Sequence, residues 1–312
     1  MGELRRDYIL DRWVVISPKR GQRPHELQKA VVSAPVSQCF FCPGSENLTP
    51  PEIGRIVKNG NWQLRWFENK FAALKPEGVS VPKTDNRFYT FADAYGYHEV
   101  VVETPRHDRQ LAQLSVDDVE QVLHVYARRI VELEQKPNIA YVNVFKNHGY
   151  LGGTSIVHSH SQIMATSVVP PDIREKLEAL RKFISCPYCI VVQSEKNSGR
   201  VCFENADFVA FAPYASRFNY EVWIFPKEHT ARLESVNFAS LADIVSKVLK
   251  KVHEANLDYN MLVQYSPKGE DFHFHIEVCP RSAIWAGFEL NSGIIINSVA
   301  PEDAAKYYRG EE

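Results

Sequence analysis

The chain has 312 residues, 45% of them hydrophobic and 12% aromatic, and a formal net charge of −2 at pH 7. This composition is globular, with enough apolar material for two ordinary domains or for one larger domain built from two halves. The near-neutral balance argues against a dedicated nucleic-acid or membrane surface, and no apolar run approaches the roughly 20 residues that a bilayer span requires. The N-terminal stretch MGELRRDYIL is not followed by an apolar signal core, which predicts a cytoplasmic protein.

Four of the six cysteines form two C-x-x-C pairs, CFFC at Cys39 and Cys42 and CPYC at Cys186 and Cys189. In a reducing compartment, paired thiols bind metal or carry out redox chemistry more often than they form structural disulfides. Neither pair lies between a strand and a helix of a βαβ unit, as a thioredoxin-like motif requires. The stretch SQCFFCPGSE is instead typical of a turn in a zinc knuckle.

Five landmarks occur twice along the chain, in the same order. The first half contains CFFC, NKFAAL, YHEVVVETPRH, YVNVFKNHG and VHSHSQIMAT, and the second contains CPYC, ADFVAF, NYEVWIFPKEH, YNMLVQYSPKG and FHFHIEVCPR. Self-similarity of this kind indicates an internal structural repeat. It divides the chain into residues 1–170 and residues 171–312, with the stretch around 167–185 as the connection.

Each half is predicted to combine strands with one long helix. The stretches SVDDVEQVLHVYARRIVELEQ and SLADIVSKVLKKVHEAN carry apolar residues at helical spacing. We expect each helix to open at a serine, Ser115 or Ser240, with an acidic residue three positions on. The sequence therefore predicts an α+β fold made of two tandem halves, with helices packed on an antiparallel sheet.

Histidines at similar offsets follow each C-x-x-C pair. Thiolates and imidazoles together are the tetrahedral ligand set that zinc prefers. Unligated core thiols and helix-capping histidines are the alternative interpretation, which the repeat makes weaker. We expect two structural zinc sites with four protein ligands each, and iron is an alternative at the second; the sets are Cys39, Cys42, His107, His158 and Cys186, Cys189, His229, His273.

The stretch VHSHSQ is expected to form a strand that carries chemistry on one face. Alternation places His158, His160 and Gln162 on that face, and Ser159 and Ser161 on the other. If His158 is committed to metal, His160 is left as a neutral imidazole, which is a good nucleophile toward phosphorus. Gln162 is an uncharged donor that can hold a phosphate oxygen without the repulsion of a carboxylate.

The loop KNHGYLGGTS before this strand is expected to approach an anion. Gly152 and Gly153 would let backbone N–H groups come close, and the hydroxyls of Thr154 and Ser155 follow. Together with His160, these residues predict a site that handles phosphate.

The matching strand of the second half places His273, His275 and Glu277 on one face. A carboxylate beside a bound phosphate is unfavourable in a low-dielectric pocket. We therefore expect the second half to keep the scaffold and its metal while lacking the chemistry. The other histidines are interpreted as surface or satisfied polar residues: His25, His98, His124, His148 and His253.

Over nearly its whole length the chain resembles the galactose-1-phosphate uridylyltransferase family, a branch of the histidine-triad superfamily. The segments DRWVVISPKRGQRP, WFENKFAAL, VFKNHGYLGGTSIVHSHSQ and AGFELNSG are similar to that family's phosphate-contacting, nucleotide-binding, active-site and sugar-contacting segments. The resemblance implies two histidine-triad-like halves, with His160 as the nucleophile, Gln162 as a second catalytic residue and His158 as a zinc ligand. It also implies the following substrate-binding residues: Arg20, Arg23, Asn69, Asn147, Gly153, Ser155, Phe288 and Glu289.

The reaction implied by the resemblance is a ping-pong exchange of UMP between UDP-glucose and galactose 1-phosphate. His160 attacks the α-phosphorus of UDP-glucose and releases glucose 1-phosphate, which leaves a uridylyl-histidine. Galactose 1-phosphate then attacks this intermediate and leaves as UDP-galactose. The partners are thus nucleotide sugars and hexose 1-phosphates, with no nucleic acid and no membrane, and zinc is the cofactor. The resemblance further implies a homodimer.

Departures from the better-known members of the family keep a second enzymatic activity open. Ser159 and Ser161 stand where those members carry proline and glycine, and Ile295 stands where a glutamine is expected. The serine version and the tail AGFELNSGIIINSVAPEDAAK are similar to ADP-glucose phosphorylases, which use the same covalent histidine but take adenine and inorganic phosphate. The alternative from another class is a zinc-stapled nucleic-acid-binding module, which predicts a basic stripe with exposed aromatic residues.

Overall fold

The computed structural model describes residues 2–19, 39–85 and 87–311. Among these residues, no helix is both long enough and apolar enough to cross a membrane. In chain order the strands are β1 (Glu3–Arg6), β2 (Trp13–Ile16), β3 (Glu52–Lys58), β4 (Asn61–Glu68), β5 (Lys83–Thr84), β6 (Thr90–Phe91), β7 (Gly96–Val102), β8 (Tyr141–His148), β9 (His160–Thr166), β10 (Val201–Glu204), β11 (Phe208–Phe211), β12 (Val222–Pro226), β13 (Tyr259–Gln264), β14 (His275–Pro280) and β15 (Ile295–Asn297). The α-helices are α1 (Val116–Glu134), α2 (Pro171–Leu180), α3 (Pro187–Glu195), α4 (Phe238–Glu254), α5 (Gly287–Ser292) and α6 (Pro301–Arg309).

A ten-stranded antiparallel sheet runs through both halves of the chain, in the order β10-β11-β12-β14-β13-β8-β9-β7-β4-β3. The halves join where β8 pairs with β13, with Val144 opposite Val263. Outward from this junction, β8, β9, β7, β4 and β3 repeat the arrangement of β13, β14, β12, β11 and β10. The predicted α+β fold with its antiparallel sheet is therefore confirmed, and the two halves share one sheet. The boundary at residue 170 stays a prediction, and it falls where α2 begins.

The two long helices of the repeat pack side by side on one face of the sheet. In α1, the Ser115 side chain accepts a hydrogen bond from the Asp118 N–H, which confirms the predicted start. The predicted start of α4 at Ser240 is wrong. The helix begins at Phe238 and is capped by Asn237, whose side chain accepts from the Ser240 N–H. Asparagine caps the free N–H groups at a helix start as well as serine does, so Asn237 can serve as the N-cap where Ser240 was expected.

The core lies between the sheet and these helices. Residues Val122, Tyr126 and Ile130 of α1, four positions apart, are all buried there, as an amphipathic helix requires. On β9, Ser161 faces α1, because its hydroxyl hydrogen-bonds to Tyr126. Since side chains alternate along a strand, His160 faces the opposite side of the sheet. That side carries the candidate site.

Smaller elements flank the large sheet. Strands β1, β2 and β15 form a three-stranded sheet, and β5 and β6 form a hairpin. The connection expected around residues 167–185 contains α2, and the second C-x-x-C pair leads into α3 with Cys186 at the N-cap and Pro187 at the first helical position.

Candidate active site and metal centres

The imidazole ring of the histidine predicted to be the nucleophile is oriented by a hydrogen bond to the backbone. The Nδ1 of His160 lies 2.8 Å from the carbonyl oxygen of His158. Because a carbonyl only accepts, Nδ1 carries the hydrogen and donates it, so the lone pair of the neutral ring is on Nε2. Burial lowers the pKa of His160, and the charge of Lys146 lowers it further. The ring is therefore kept neutral, which is the form that attacks an electrophile.

The first group of metal-ligand candidates is assembled as predicted. The Sγ of Cys39 lies 3.4 Å from Nδ1 of His158, and the Sγ of Cys42 lies 3.5 Å from Nδ1 of His107. A tetrahedral zinc ion bound to sulfur at ~2.3 Å and nitrogen at ~2.0 Å would separate these atoms by roughly 3.5 Å. The Nε2–H of His158 donates to the Thr104 carbonyl at 2.8 Å, which leaves Nδ1 for a metal. These four residues could hold a metal ion.

The second group repeats the first. Ligand atoms of Cys186, Cys189, His229 and His273 all lie within 4.8 Å of one another. The Sγ of Cys189 is 3.3 Å from Nδ1 of His229, whose Nε2–H donates to Asp271 at 2.8 Å. A carboxylate on the far ring nitrogen is the usual support of a metal-binding histidine. Without a metal, burial and Cys186 raise the pKa of the Cys189 thiol to about 11, so a bound cation would be needed to favour the thiolate.

An aromatic residue of the first C-x-x-C loop connects the metal group to His160. The ring of Phe41 packs edge-on against His160 at 5.3 Å between centroids, and against His158 at 6.2 Å. The buried Arg65 holds the loop by donating to the carbonyl of Phe40 at 3.3 Å. The loop that carries two metal-ligand candidates therefore also packs against the nucleophile.

A buried polar network lies on the helix side of β9, behind His160. The Nζ of Lys146 donates to Glu103 at 2.7 Å, to the Ser159 hydroxyl at 3.1 Å and to the His160 carbonyl at 3.1 Å. The other carboxylate oxygen of Glu103 accepts from Ser161. Burial alone would raise the pKa of Glu103, but the Lys146 charge and these hydrogen bonds hold it below its usual value. The two serines that depart from the better-known family pattern thus anchor the strand.

The side chains of Gln162, predicted to be catalytic, and Asn69, predicted to bind substrate, both lie beside His98, which the sequence analysis interpreted as a surface or satisfied polar residue. The Oε1 of Gln162 is 2.8 Å from Nε2 of His98, and the backbone N–H of Asn69 donates to the His98 carbonyl at 2.7 Å. His98 is one of the functional candidates that sequence reasoning missed.

The glycine loop differs from its prediction. The N–H of Gly153 donates to the Tyr150 carbonyl at 3.0 Å, and the N–H of Thr154 donates to the Gly149 carbonyl at 3.1 Å. The expectation that the Gly153 N–H is free to approach an anion is therefore wrong, and the same expectation for Gly152 stays a prediction. Gly153 has φ of +82°, in the left-handed region that favours glycine, so it shapes the turn. Ser155 beside it is exposed.

The remaining predicted substrate residues are distributed as follows. Asn147 accepts from the Asn260 side chain at 2.8 Å and lies on the same face of the sheet as His160. Phe288 is half exposed on α5, and Glu289 accepts from the N–H of Ala286 at 2.9 Å at the start of the same helix. Within the described parts of the chain, neither α5 residue hydrogen-bonds to a site residue of the first half. Arg20 and Arg23 lie outside the described residues.

The equivalent position in the second half is filled by the protein's own charges. Glu277 accepts from Lys176 at 2.8 Å and from Arg217 at 3.1 Å, and His275 Nε2 lies 3.3 Å away. Burial alone would raise the pKa of Glu277, but Lys176, the hydrogen bond from His275 and Arg217 hold it well below its usual value. The carboxylate thus neutralises cations that an external anion would otherwise meet. That the second half lacks the chemistry stays a prediction, consistent with this arrangement.

Comparison with known proteins gives consistent matches across the chain. The family model described as galactose-1-phosphate uridyl transferase, N-terminal domain, matches residues 2–170, and a second model, described as a domain of unknown function, matches residues 98–307. The chain is 33% identical to ADP-glucose phosphorylase of Arabidopsis thaliana, over 98% of this chain and 92% of that protein. It is 31% identical to galactose-1-phosphate uridylyltransferase of Thermotoga maritima, over 100% of this chain and 99% of that protein.

Solved structures agree with these matches. The crystal structure of ADP-glucose phosphorylase from Arabidopsis thaliana with bound ADP-glucose superposes with a TM-score of 0.86 at 31% identity, covering 100% of this chain and 99% of that one. A uridylyltransferase structure superposes with a TM-score of 0.77 at 27% identity, covering 99% and 98%. The chain therefore belongs to the galactose-1-phosphate uridyl transferase family.

Proposed function

We propose that this protein transfers a nucleotidyl group from a nucleotide sugar through a covalent bond to Nε2 of His160. The observation that carries the proposal is the hydrogen bond from Nδ1 of His160 to the carbonyl of His158, which leaves the lone pair on Nε2. His158 itself is turned toward Cys39 and is not available as a nucleophile once a metal is bound. The first donor and acceptor that we propose are UDP-glucose and galactose 1-phosphate.

The chemistry proceeds by two displacements at one phosphorus atom. Nε2 of His160 attacks the α-phosphorus, the bond from phosphorus to the bridging oxygen breaks, and glucose 1-phosphate leaves with the electron pair. The ring now carries positive charge, which the His158 carbonyl stabilises because it already accepts the Nδ1 hydrogen. An oxygen of galactose 1-phosphate then attacks the same phosphorus, the P–N bond breaks, and the electron pair returns to Nε2.

The second residue in this proposal is Gln162, which lies two residues after His160 on the same face of the strand. Its amide can donate to a phosphoryl oxygen, and it is uncharged, so it adds no repulsion toward the anion. Glu277 occupies the same place in the second half and is already engaged by Lys176. From the family resemblance we propose that Arg20 and Arg23 offset phosphate charge and that Asn69, Asn147, Gly153, Ser155, Phe288 and Glu289 contact the substrate.

Both Cys₂His₂ groups fit zinc by ligand type and by the spacing of their sulfur and nitrogen atoms. Zinc bound by four protein ligands would have no open position for water, so it would stabilise the fold and, in the first group, hold the loop of Phe41 against His160. Iron remains an alternative at the second group. We also propose, from the family resemblance, that the protein is a cytoplasmic homodimer.

A second candidate is phosphorolysis of ADP-glucose through the same histidine. It is favoured by Ser159 and Ser161, which stand where the better-known uridylyltransferases carry proline and glycine, and by the similarity to the Arabidopsis phosphorylase. In that reaction inorganic phosphate, in place of a sugar phosphate, would attack the nucleotidyl-histidine. The first displacement is the same in both candidates.

Product analysis separates the two candidates. The protein is incubated with UDP-glucose and galactose 1-phosphate, and separately with ADP-glucose and inorganic phosphate, and the nucleotides are resolved by anion-exchange chromatography. Formation of UDP-galactose in the first mixture supports uridylyl transfer, and formation of ADP in the second supports the phosphorylase. The His160→Gly variant is the control in both mixtures. Turnover of neither pair, with fully metal-loaded protein, would contradict the proposed function.

A further inference from the structure

We propose that His98 is a positioning residue that orients the amide of Gln162 toward the substrate. The inference rests on the proposed function, because Gln162 acts there as the donor to the phosphoryl group. His98 is only 9% exposed and lies on β7, which pairs with the strand of the nucleophile. In the register of these strands Val100 is opposite Gln162, so His98 is its diagonal neighbour on the same face.

The hydrogen bonds around His98 determine its tautomer. The backbone N–H of Ala73 donates to Nδ1 at 3.2 Å, and a backbone N–H has no other role than donor. Nδ1 must therefore carry a lone pair, and the ring hydrogen is on Nε2. That Nε2 lies 2.8 Å from Oε1 of Gln162, which accepts the hydrogen. The amide nitrogen of Asn69 lies 3.2 Å from Nε2 of His98. Because an amide nitrogen cannot accept a hydrogen bond, Asn69 does not compete with Gln162 for the Nε2 hydrogen.

This hydrogen bond fixes which end of the Gln162 amide meets a ligand. With its oxygen held by His98, the side chain keeps its NH₂ group as the end that can donate to a phosphoryl oxygen. A free glutamine amide can rotate by half a turn and present its oxygen instead, which would repel the same phosphoryl oxygen. The backbone around His98 is held as well, since its carbonyl accepts from Asn69 at 2.7 Å.

The internal repeat supplies an independent comparison. In the second half Glu277 holds the position of Gln162 and is opposite Trp223, so the diagonal neighbour that corresponds to His98 is Glu221. Glu277 is held by Lys176 and Arg217 and needs no orienting donor from that strand. The carboxylate of Glu221 accepts from the Nε1–H of Trp223 at 2.9 Å, so it does not serve as an orienting donor. The orienting histidine and the amide thus occur together, in the half that carries the nucleophile.

The test is a double-mutant cycle on the first displacement alone. The rate constant for nucleotidyl-enzyme formation is measured by rapid quench and intact mass spectrometry, with UDP-glucose and with ADP-glucose as probes. The variants are His98→Leu, His98→Gln, Gln162→Ala and the double variant His98→Leu/Gln162→Ala. His253→Leu, an exposed histidine on α4, is the matched control. Metal content and the thermal unfolding midpoint are recorded for each protein.

We expect His98→Leu to slow the first displacement by about tenfold to a hundredfold, because misplacement of a positioned group costs up to about 10²-fold. His98→Gln, whose amide N–H can still donate to Oε1, should recover most of the rate. The double variant should be no slower than Gln162→Ala within about twofold, since His98 acts through that amide. His253→Leu should match the wild type.

The inference is overturned if the losses from His98→Leu and Gln162→Ala multiply in the double variant, or if His98→Gln is as slow as His98→Leu while retaining metal and unfolding midpoint. An equal rate for His98→Leu and wild type also overturns it. Failure of the proposed function is distinguishable, because the wild type would then form no nucleotidyl adduct with either probe.

Discussion

The imidazole of His160 donates its Nδ1 hydrogen to the carbonyl oxygen of His158, two residues earlier in the chain. This contact assigns different roles to two histidines of the same motif. His158 donates its Nε2 hydrogen to Thr104 and turns Nδ1 toward Cys39, whereas His160 keeps Nε2 for an electrophile. One histidine is thus placed to hold a metal and the other to react.

The first prediction follows from this division. His160→Gly should abolish nucleotidyl transfer and leave the metal content near that of wild type, because no metal-ligand candidate is altered. His158→Ala should lose one metal per chain together with stability, because a tetrahedral zinc site tolerates the loss of a ligand poorly. Metal analysis by mass spectrometry and single-turnover assays check both variants. Equal loss of metal from the two proteins would mean that the roles are assigned wrongly.

The two metal groups should differ in their effect on the reaction. Cys42→Ser removes a ligand from the loop whose Phe41 ring packs on His160, so it should lose one metal and slow the first displacement by at least tenfold. Cys189→Ser should lose one metal with a change of only a few fold in that rate, because its loop lies in the second half. Both variants are compared at a temperature where each remains folded by circular dichroism. Equal slowing by both would contradict the coupling through Phe41.

Removing the cation behind the nucleophile should destabilise the protein. Lys146→Met leaves the buried carboxylate of Glu103 without its partner, and breaking a buried ion pair costs about 3 to 5 kcal/mol. The double variant Lys146→Met/Glu103→Gln carries no uncompensated charge and should regain part of the loss. Urea unfolding of the metal-loaded proteins measures these free energies. A double variant less stable than Lys146→Met would show that the pair is not the source of the effect.

Glu277 should make a pH-dependent contribution to stability. Its folded pKa lies well below the ordinary value of 4.5, so the unfolded state binds the proton more readily. Its contribution is therefore full above about pH 4.5 and is lost as the pH falls toward the folded pKa. Glu277→Gln should be less stable than wild type by about 3 to 5 kcal/mol at pH 7, because Lys176 and Arg217 lose their partner.

The measurement for Glu277 is the difference in unfolding free energy between wild type and Glu277→Gln from pH 7 down to pH 3. Both proteins carry the same metal-ligand candidates, so acid release of metal affects both and cancels in the difference. The difference should narrow only below about pH 4.5. A difference that stays constant over the whole range would show that the folded and unfolded states bind the Glu277 proton equally, which would contradict the lowered folded pKa.

The repeat and the metal groups could be predicted because both are recorded as residue types in a fixed order. The same order in both halves, a C-x-x-C pair followed by His107 or His229 and then by the histidine of the later strand, indicated the two clusters that the structure assembles. The buried position of Lys146 could also have been predicted from the sequence. Lys146 follows Val142 and Val144 at the inward positions of β8, where a lysine must find a buried partner.

Other features depend on information that a single sequence does not contain. The contact between His98 and Gln162 is set by the register of β7 against β9, which neither strand specifies by itself. The hydrogen bond from the Gly153 N–H to the Tyr150 carbonyl likewise depends on how the loop folds into a turn. Register and turn closure are tertiary outcomes, so the residue types of this site were foreseen more fully than their contacts.

In the proposed reaction, Nε2 of His160 becomes bonded to the α-phosphorus of a nucleotide sugar. Intact-protein mass spectrometry after mixing the metal-loaded chain with UDP-glucose alone, and with ADP-glucose alone, tests it most directly. We expect one nucleotidyl group per chain, of the mass that fits the preferred base, and peptide mapping should place it on His160. Absence of any adduct with both donors, or an adduct on a different side chain, would contradict the account.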